Sequence, residues 1–291
     1  MSFPKRIRNS LLWIAILSAV LMTAGDLVGL LVPSRLTAEQ YPYWFTFMEY
    51  AAFISMWISV LIAISAFRRN RYILGDIMPN GKGNNICYLL IGLLGGLVMN
   101  GICALSAIWN GNIQLSFGKF ELLPLIGLSA AVFIQSSAEE VLCRGFMYER
   151  LLESKSRYWV AILGNSLFFG IAHIFNDGMS FLGFYDLVIA GILYSLVVFY
   201  FDSLWMAMGL HATWNFTQSI LLGLPNSGAS FPYSVFHLDP GSNAGFSYDV
   251  AFGLEGTVLS SVMMTLCCIA LYLWKNREKS IWGGPSSSEE R

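Results

Sequence analysis

Eight apolar stretches alternate with short polar segments along the 291 residues: roughly 11–32, 44–67, 86–108, 122–147, 158–175, 184–201, 203–222 and 250–274. A run of about 20 apolar residues crosses a hydrocarbon core of about 30 Å as a helix, which satisfies its backbone donors and acceptors internally. The pattern predicts an all-α fold: a polytopic membrane helical bundle of about eight transmembrane helices. No long linker, low-complexity tract or repeat divides the chain, so residues 1–282 read as a single membrane-embedded bundle. Residues 283–291, Gly-Gly-Pro-Ser-Ser-Ser-Glu-Glu-Arg, read as a disordered C-terminal tail.

Charge gives the bundle a direction. Only 12% of residues are charged, against about 25% in an ordinary soluble domain. Short cytoplasmic loops collect Lys and Arg. With both termini cytoplasmic, 15 of the 17 basic residues fall on that side, and only Arg35 and Lys119 fall outside. The first stretch reads as a span rather than a cleavable signal peptide, because its apolar run is long and no small-x-small site follows its first half. The five cysteines lack C-x-x-C spacing and read as small core residues. A net charge of −1 without a basic stripe argues against nucleic acid as a partner. Gly92 and Gly96 form a G-x-x-x-G step that suits close helix packing. Asp26 and Glu49, near the outer ends of their spans, need no function.

Three polar motifs interrupt the apolar pattern. Glu139-Glu140-Val141-Leu142-Cys143-Arg144 reads E-E-x-x-x-R, Phe169 to His173 reads F-x-x-x-H, and His211 to Asn215 reads H-x-x-x-N. An ionised group at mid-bilayer costs roughly 2.5–3.5 kcal/mol on insertion scales, so such residues persist mainly where they pair or act. The remaining histidine, His237, lies in the long connection 223–249 and reads as an ordinary loop residue. Residues four apart share a helix face and neighbours diverge by about 100°. Glu140 and Arg144 are therefore predicted to pair, leaving Glu139 to face a cavity. If the fourth and fifth spans form a hairpin turning near residue 156, Glu139, Glu140 and His173 lie about equally far from the turn, on the order of 25 Å along each helix. His211 meets that level only if these two helices project about two turns past the start of the seventh span.

Two chemistries suit the set. Glu139, His173 and His211 offer three N/O ligands for Zn2+ with a fourth position left for water. Alternatively, Glu139 acts as a general base on water while histidine and Asn215 donate hydrogen bonds to the developing oxyanion. Both hydrolyse an amide or ester. The H-E-x-x-H of soluble zinc proteases is missing, and no G-x-S-x-G stands beside a base. A non-catalytic membrane scaffold or immunity factor that keeps the polar cluster for folding is the rival reading. A transporter fits less well, since no paired Gly/Pro-broken spans mark an inverted repeat.

At these residues the chain resembles the CPBP intramembrane protease family, which includes type II CAAX prenyl endopeptidases and abortive-infection-type membrane proteases. The resemblance covers about residues 120–222 and rests on E-E-x-x-x-R followed by Gly145-Phe146, F-G-x-A-H at 169–173 and H-x-x-x-N at 211–215; Phe252-Gly-Leu-Glu-Gly256 also looks like the family. It implies an eight-helix endopeptidase with a cavity opening to the cytoplasm. Glu139 would activate water, His173 and His211 would complete the water or metal site, Asn215 would support the oxyanion, and Glu140 and Arg144 fill the other motif positions. The implied substrate is a membrane-associated or hydrophobic polypeptide. Short loops without a eukaryotic-looking sorting signal point to a bacterial plasma membrane.

Overall fold

A computed structural model describes residues 10–29, 37–80, 83–154 and 157–282. The tail at 283–291 lies outside the described residues, as does the side chain of Asp26. Apart from the short helical turns Arg68–Asn70 and Ile73–Ile77, the helices are α1 (Leu11–Gly29), α2 (Pro42–Ala51), α3 (Ile54–Ala66), α4 (Ile86–Trp109), α5 (Leu122–Glu140), α6 (Tyr148–Glu153), α7 (Tyr158–Ala172), α8 (Phe181–Phe201), α9 (Leu204–Asn215) and α10 (Val258–Trp282). Two π-helical stretches, Val141–Met147 and Phe216–Leu221, continue α5 into α6 and extend α9. Each of the eight apolar stretches thus contains helix among the described residues, and the chain is an all-α polytopic membrane bundle. Among the described residues five helical runs are long and apolar enough to cross a membrane: Pro42–Ala66, Ile86–Trp109, Leu122–Glu153, Phe181–Phe201 and Val258–Asn276.

Three features depart from the apolar pattern. The second span breaks at Ala52 and Phe53, between α2 and α3. The last span begins at Val258 rather than near 250, which leaves Glu255 in the connection ahead of it. The long connection also pairs with the one before α5. Strand β1 (Leu115–Phe117) lies antiparallel to β2 (Phe236–Leu238), with Ser116 opposite His237. His237 is held there, its Nδ1 3.2 Å from Ser234 Oγ.

Helix α9 is the enclosed centre of the bundle. Lipid tails are as apolar as leucine, so transmembrane helices associate through close packing and hydrogen bonds. Gly92 and Gly96 of α4 supply the packing: a Cβ on either would lie 2.1 Å from a backbone oxygen of α9, that of Met206 or Leu210. Thr213 Oγ1 adds a hydrogen bond to Leu93 O at 2.7 Å. The α8–α9 turn is tight because Asp202 ends α8 in the left-handed region at φ 52° and Ser203 caps α9 through Met206 N. Buried polar ties fix the 223–257 connection against the bundle. Gln218 Nε2 donates to Pro225 O, Asn176 Nδ2 to Ser227 O, and Trp214 Nε1 to Glu255 Oε1 at 2.9 Å.

Candidate active site

The E-E-x-x-x-R motif straddles the end of α5 and the π-helical stretch that follows it. π-bulges are rare and occur frequently at functional sites. A second one begins directly after Asn215, so the helix widens within the first motif, directly after Glu140, and just past the last one. Glu140 and Arg144 have fully buried side chains and form the ion pair that their spacing predicts, with Nη1 2.9 Å from Oε1. The guanidinium also stacks near two aromatic faces, 4.8 Å from the Phe169 ring centroid and 5.3 Å from that of Tyr194. Such cation–π contacts compensate a desolvated charge.

The same Glu140 oxygen, Oε1, reaches across to α9, 3.0 Å from His211 Nδ1. A carboxylate only accepts, so Nδ1 carries the proton and Nε2 is turned elsewhere. Nε2 lies 3.7 Å from Glu139 Oε2. Tyr194 stacks on the other side of the imidazole, its centroid 5.2 Å away and its plane tilted by 21°.

Glu139 faces away from the ion pair, as helix geometry predicts. Its Oε1 accepts from Gln135 Nε2 at 2.8 Å, while its buried Oε2 accepts no hydrogen bond. Gln135 is itself held: its Oε1 accepts from Asn215 Nδ2 at 3.1 Å and from Ser136 Oγ at 2.9 Å. Asn215 Nδ2 also lies 3.2 Å from Ser136 Oγ. In this arrangement Asn215 acts on Glu139 through Gln135, and an oxyanion would draw its amide only by displacing those contacts. His173 is the first residue past α7. Its Nδ1 donates to Phe169 O at 2.8 Å, which also leaves Nε2 as the free nitrogen.

These side chains line one cavity of about 400 Å³. Glu139 lies 14 residues before the end of α6 at Glu153, and His211 lies 7 residues after the start of α9 at Leu204. The two meet because the fourth span projects about two turns farther, at 3.6 residues per turn. The cavity lies at the end of the bundle built by the 223–257 connection, with Asn226, Ser227 and Glu255 in its wall and the exposed Glu49 and Ala229 at its rim. That end is opposite the end of α6 and the start of α7. Cytoplasmic termini and a cytoplasmic opening therefore exclude one another, because the rim belongs to the loops that the basic residues avoid.

A zinc ion finds no ready site. Among the described residues no group of three His, Cys, Asp or Glu side chains converges to hold a metal. Glu139, His173 and His211 line the cavity but do not fit a metal as they stand.

Several cavity residues escaped the sequence reading. Gln135 sits four residues before Glu139, and that helical spacing alone places both on one face. Asp186 is a carboxylate within the sixth apolar stretch, a signal in itself. Its Oδ1 accepts from Ser261 at 2.9 Å, and its Oδ2 from Ser260 at 2.9 Å and Gly256 N at 3.3 Å. Glu49, near the end of the second apolar stretch, and Glu255, in the family-like stretch at 252–256, were visible in the sequence but without a role, and the fold brings both to the cavity.

Comparison with known families adds a direct finding. Residues 121–217 match the family described as type II CAAX prenyl endopeptidase Rce1-like. The matched stretch is a third of the chain, contains all three motifs, and supports the CPBP resemblance at the level of family. That family is one of membrane proteases, which supports hydrolysis broadly as the chemistry. No curated protein and no solved structure matched the chain.

Proposed function

We propose that the protein is an intramembrane endopeptidase that hydrolyses a peptide bond of a membrane-associated or hydrophobic polypeptide, with Glu139 activating the attacking water. The observation that carries this reading is the divided environment of one carboxylate. Gln135 holds Glu139 Oε1, while Oε2 accepts no hydrogen bond and lies 3.7 Å from His211 Nε2, and the residue lines the cavity. Glu139 takes a proton from a water, and the hydroxide attacks the carbonyl carbon. A protonated histidine Nε2, from His211 or His173, donates to the oxyanion. Glu139 then returns its proton to the leaving amine as the C–N bond breaks. Glu140 does not react; it fixes the ring of His211.

The distribution of basic residues supports cytoplasmic termini, and the short loops support a bacterial plasma membrane. With that orientation the cavity opens on the opposite face, and cleavage takes place there rather than at the cytoplasmic surface.

The test uses purified protein in liposomes with a library of membrane-anchored peptides. Wild type is compared with Glu139→Gln and His173→Ala. Loss of an acid–base group is expected to slow cleavage roughly 10²–10⁴-fold. Cleavage that survives both substitutions removes the site assignment. Full biological complementation by Glu139→Gln at normal abundance favours a non-catalytic scaffold instead.

A further inference from the structure

His173 and His211 stand on different elements, and a chain of hydrogen bonds through one side chain ties those elements together. Past α7 the backbone turns at once: Asn176 N donates to His173 O at 3.0 Å, so that turn, not a continuing helix, places His173. Asn176 Nδ2 reaches out of the turn to Ser227 O at 2.7 Å. Ser227 and Gly228 are the central residues of a second turn, in which Asn226 and Ala229 exchange both backbone hydrogen bonds at 2.8 and 2.9 Å. Their φ values of 49° and 90° are those of a type I′ turn. A residue with a Cβ seldom adopts that conformation, and it persists where the surroundings hold it. Here Asn176 holds the Ser227 carbonyl, and Ser227 Oγ donates to Glu255 Oε2. The other oxygen of Glu255 accepts from Trp214 Nε1 at 2.9 Å. Trp214 is fully buried on α9, beside Asn215 and one turn past His211. Glu255 is itself buried and anchored from behind, since the next backbone amide, Gly256 N, donates to Asp186 Oδ2 at 3.3 Å.

We infer that Glu255 is a positioning residue: by bridging Trp214 and Ser227 it sets where His173 stands relative to His211 across the cavity. The inference rests on the endopeptidase reading for its effect on rate, and on the hydrogen-bond chain alone for the placement. Charge is not required of Glu255. A carboxamide fits the same bridge, because a glutamine oxygen accepts from Trp214 while its NH2 donates to Ser227 Oγ. Alanine removes both arms. Ser227→Gly removes one arm and relieves the left-handed backbone, so it is expected to stay close to wild type in thermal stability.

The test reads the histidines directly, because the chain has only 3. Protein labelled with 15N-histidine in lipid nanodiscs reports His173, His211 and His237, the last on β2, outside the bridge, as the control. Glu255→Ala is expected to move the imidazole signals of His173 and His211 and to leave His237 in place. Ser227→Gly should move chiefly His173, because Trp214 keeps its bond to Glu255, and it carries the test if Glu255→Ala does not fold. Glu255→Gln should stay closest to wild type. With a membrane-anchored peptide, Glu255→Ala and Ser227→Gly are expected to lower kcat toward the roughly 10²-fold that a misplacement of about 1 Å costs, with KM little changed, while Glu255→Gln keeps most of the rate. Unmoved His173 and His211 signals in both Glu255→Ala and Ser227→Gly, equal movement of all three histidines, or a Glu255→Gln variant as impaired as Glu255→Ala overturns the inference. A wild type that cleaves nothing sinks the endopeptidase reading instead, and the spectra still decide the placement.

Discussion

Glu140 Oε1 is shared between two hydrogen-bond donors on different helices, Arg144 Nη1 at 2.9 Å and His211 Nδ1 at 3.0 Å. One oxygen thus does two jobs. It neutralises a fully buried guanidinium, and it sets the imidazole so that Nε2 turns toward Glu139.

That sharing separates stability from activity. Removing one member of a buried ion pair strands its partner and costs roughly 3–5 kcal/mol, whereas replacing both is often nearly neutral. Arg144→Ala is expected to lower folded abundance and thermal stability more than Glu139→Gln. The double variant Glu140→Gln with Arg144→Met should regain most of that stability yet stay nearly inactive, because His211 has lost the carboxylate that orients it. Thermal unfolding and peptide cleavage on the same preparations check this. Recovery of both properties together would show that Glu140 is only a structural partner of Arg144.

Much of this arrangement was legible in the sequence. Periodicity alone placed Glu140 with Arg144 and turned Glu139 away, since both follow from 100° per residue. The equal depth of Glu139 and His211 required a fourth span two turns longer than the loops implied, and α5 with its π-helical continuation and α6 supplies it. The roles of Gln135 and Asn215 needed tertiary contacts. A side chain four residues from Glu139 is predictable, but Asn215 comes from another helix, and its engagement with Gln135 depends on how α9 docks. Glu255 stood in a stretch that resembles the family, but its place in the cavity was hidden: it lies in an irregular connection tied down through Trp214, Gln218 and Asn176, and periodicity has nothing to say about such segments.

Metal analysis separates the two hydrolytic chemistries. With Glu139 as the base, protein stripped by chelators is expected to keep its cleavage rate, and elemental analysis should find far less than one zinc per chain. Near-stoichiometric zinc that disappears in His173→Ala and His211→Ala, with activity lost on chelation and restored by zinc, moves the assignment to a metal-bound water.

The orientation is open to a chemical test. Glu49 and Ala229 are exposed at the cavity rim. In a cysteine-free background, Glu49→Cys and Ala229→Cys are expected to react with a membrane-impermeant thiol reagent added to intact cells. Labelling only after the membrane is breached would place the rim in the cytoplasm and reverse the orientation drawn from the basic residues.

Glu255 makes stability depend on pH. Burial pushes its carboxyl above the ordinary value of 4.5, against the opposing hydrogen bonds from Ser227 and Trp214. A raised folded-state value means the native protein holds a proton that the unfolded chain has released. Between 4.5 and the higher folded value, rising pH therefore favours unfolding through this group, and stability falls across that window. Glu255→Gln removes this contribution. The melting temperature of wild type relative to Glu255→Gln is expected to fall as pH is raised from about 4 toward neutrality. A difference that is flat or rises with pH contradicts the assignment.

The last prediction concerns how closely α4 and α9 approach. A methyl group on Gly96 would lie 2.1 Å from Leu210 O and 2.4 Å from Thr213 Oγ1, whereas one on Gly101, on the same helix, meets nothing within 4 Å. Backbone cannot yield as a flexible side chain does, so Gly96→Ala must push α9 outward, and α9 carries both His211 and Asn215. Overpacking of this kind costs about 1–3 kcal/mol. Gly101→Ala has only the helix-propensity term, which favours alanine by roughly 0.5–1 kcal/mol. Gly96→Ala is therefore expected to lower the melting temperature and to impair cleavage beyond the loss of folded protein, since a displaced α9 carries His211 off Glu140 and Glu139. Gly101→Ala should match or exceed wild type in stability with cleavage unchanged. If the two substitutions behave alike, the tight α4–α9 contact is not what holds His211 in place.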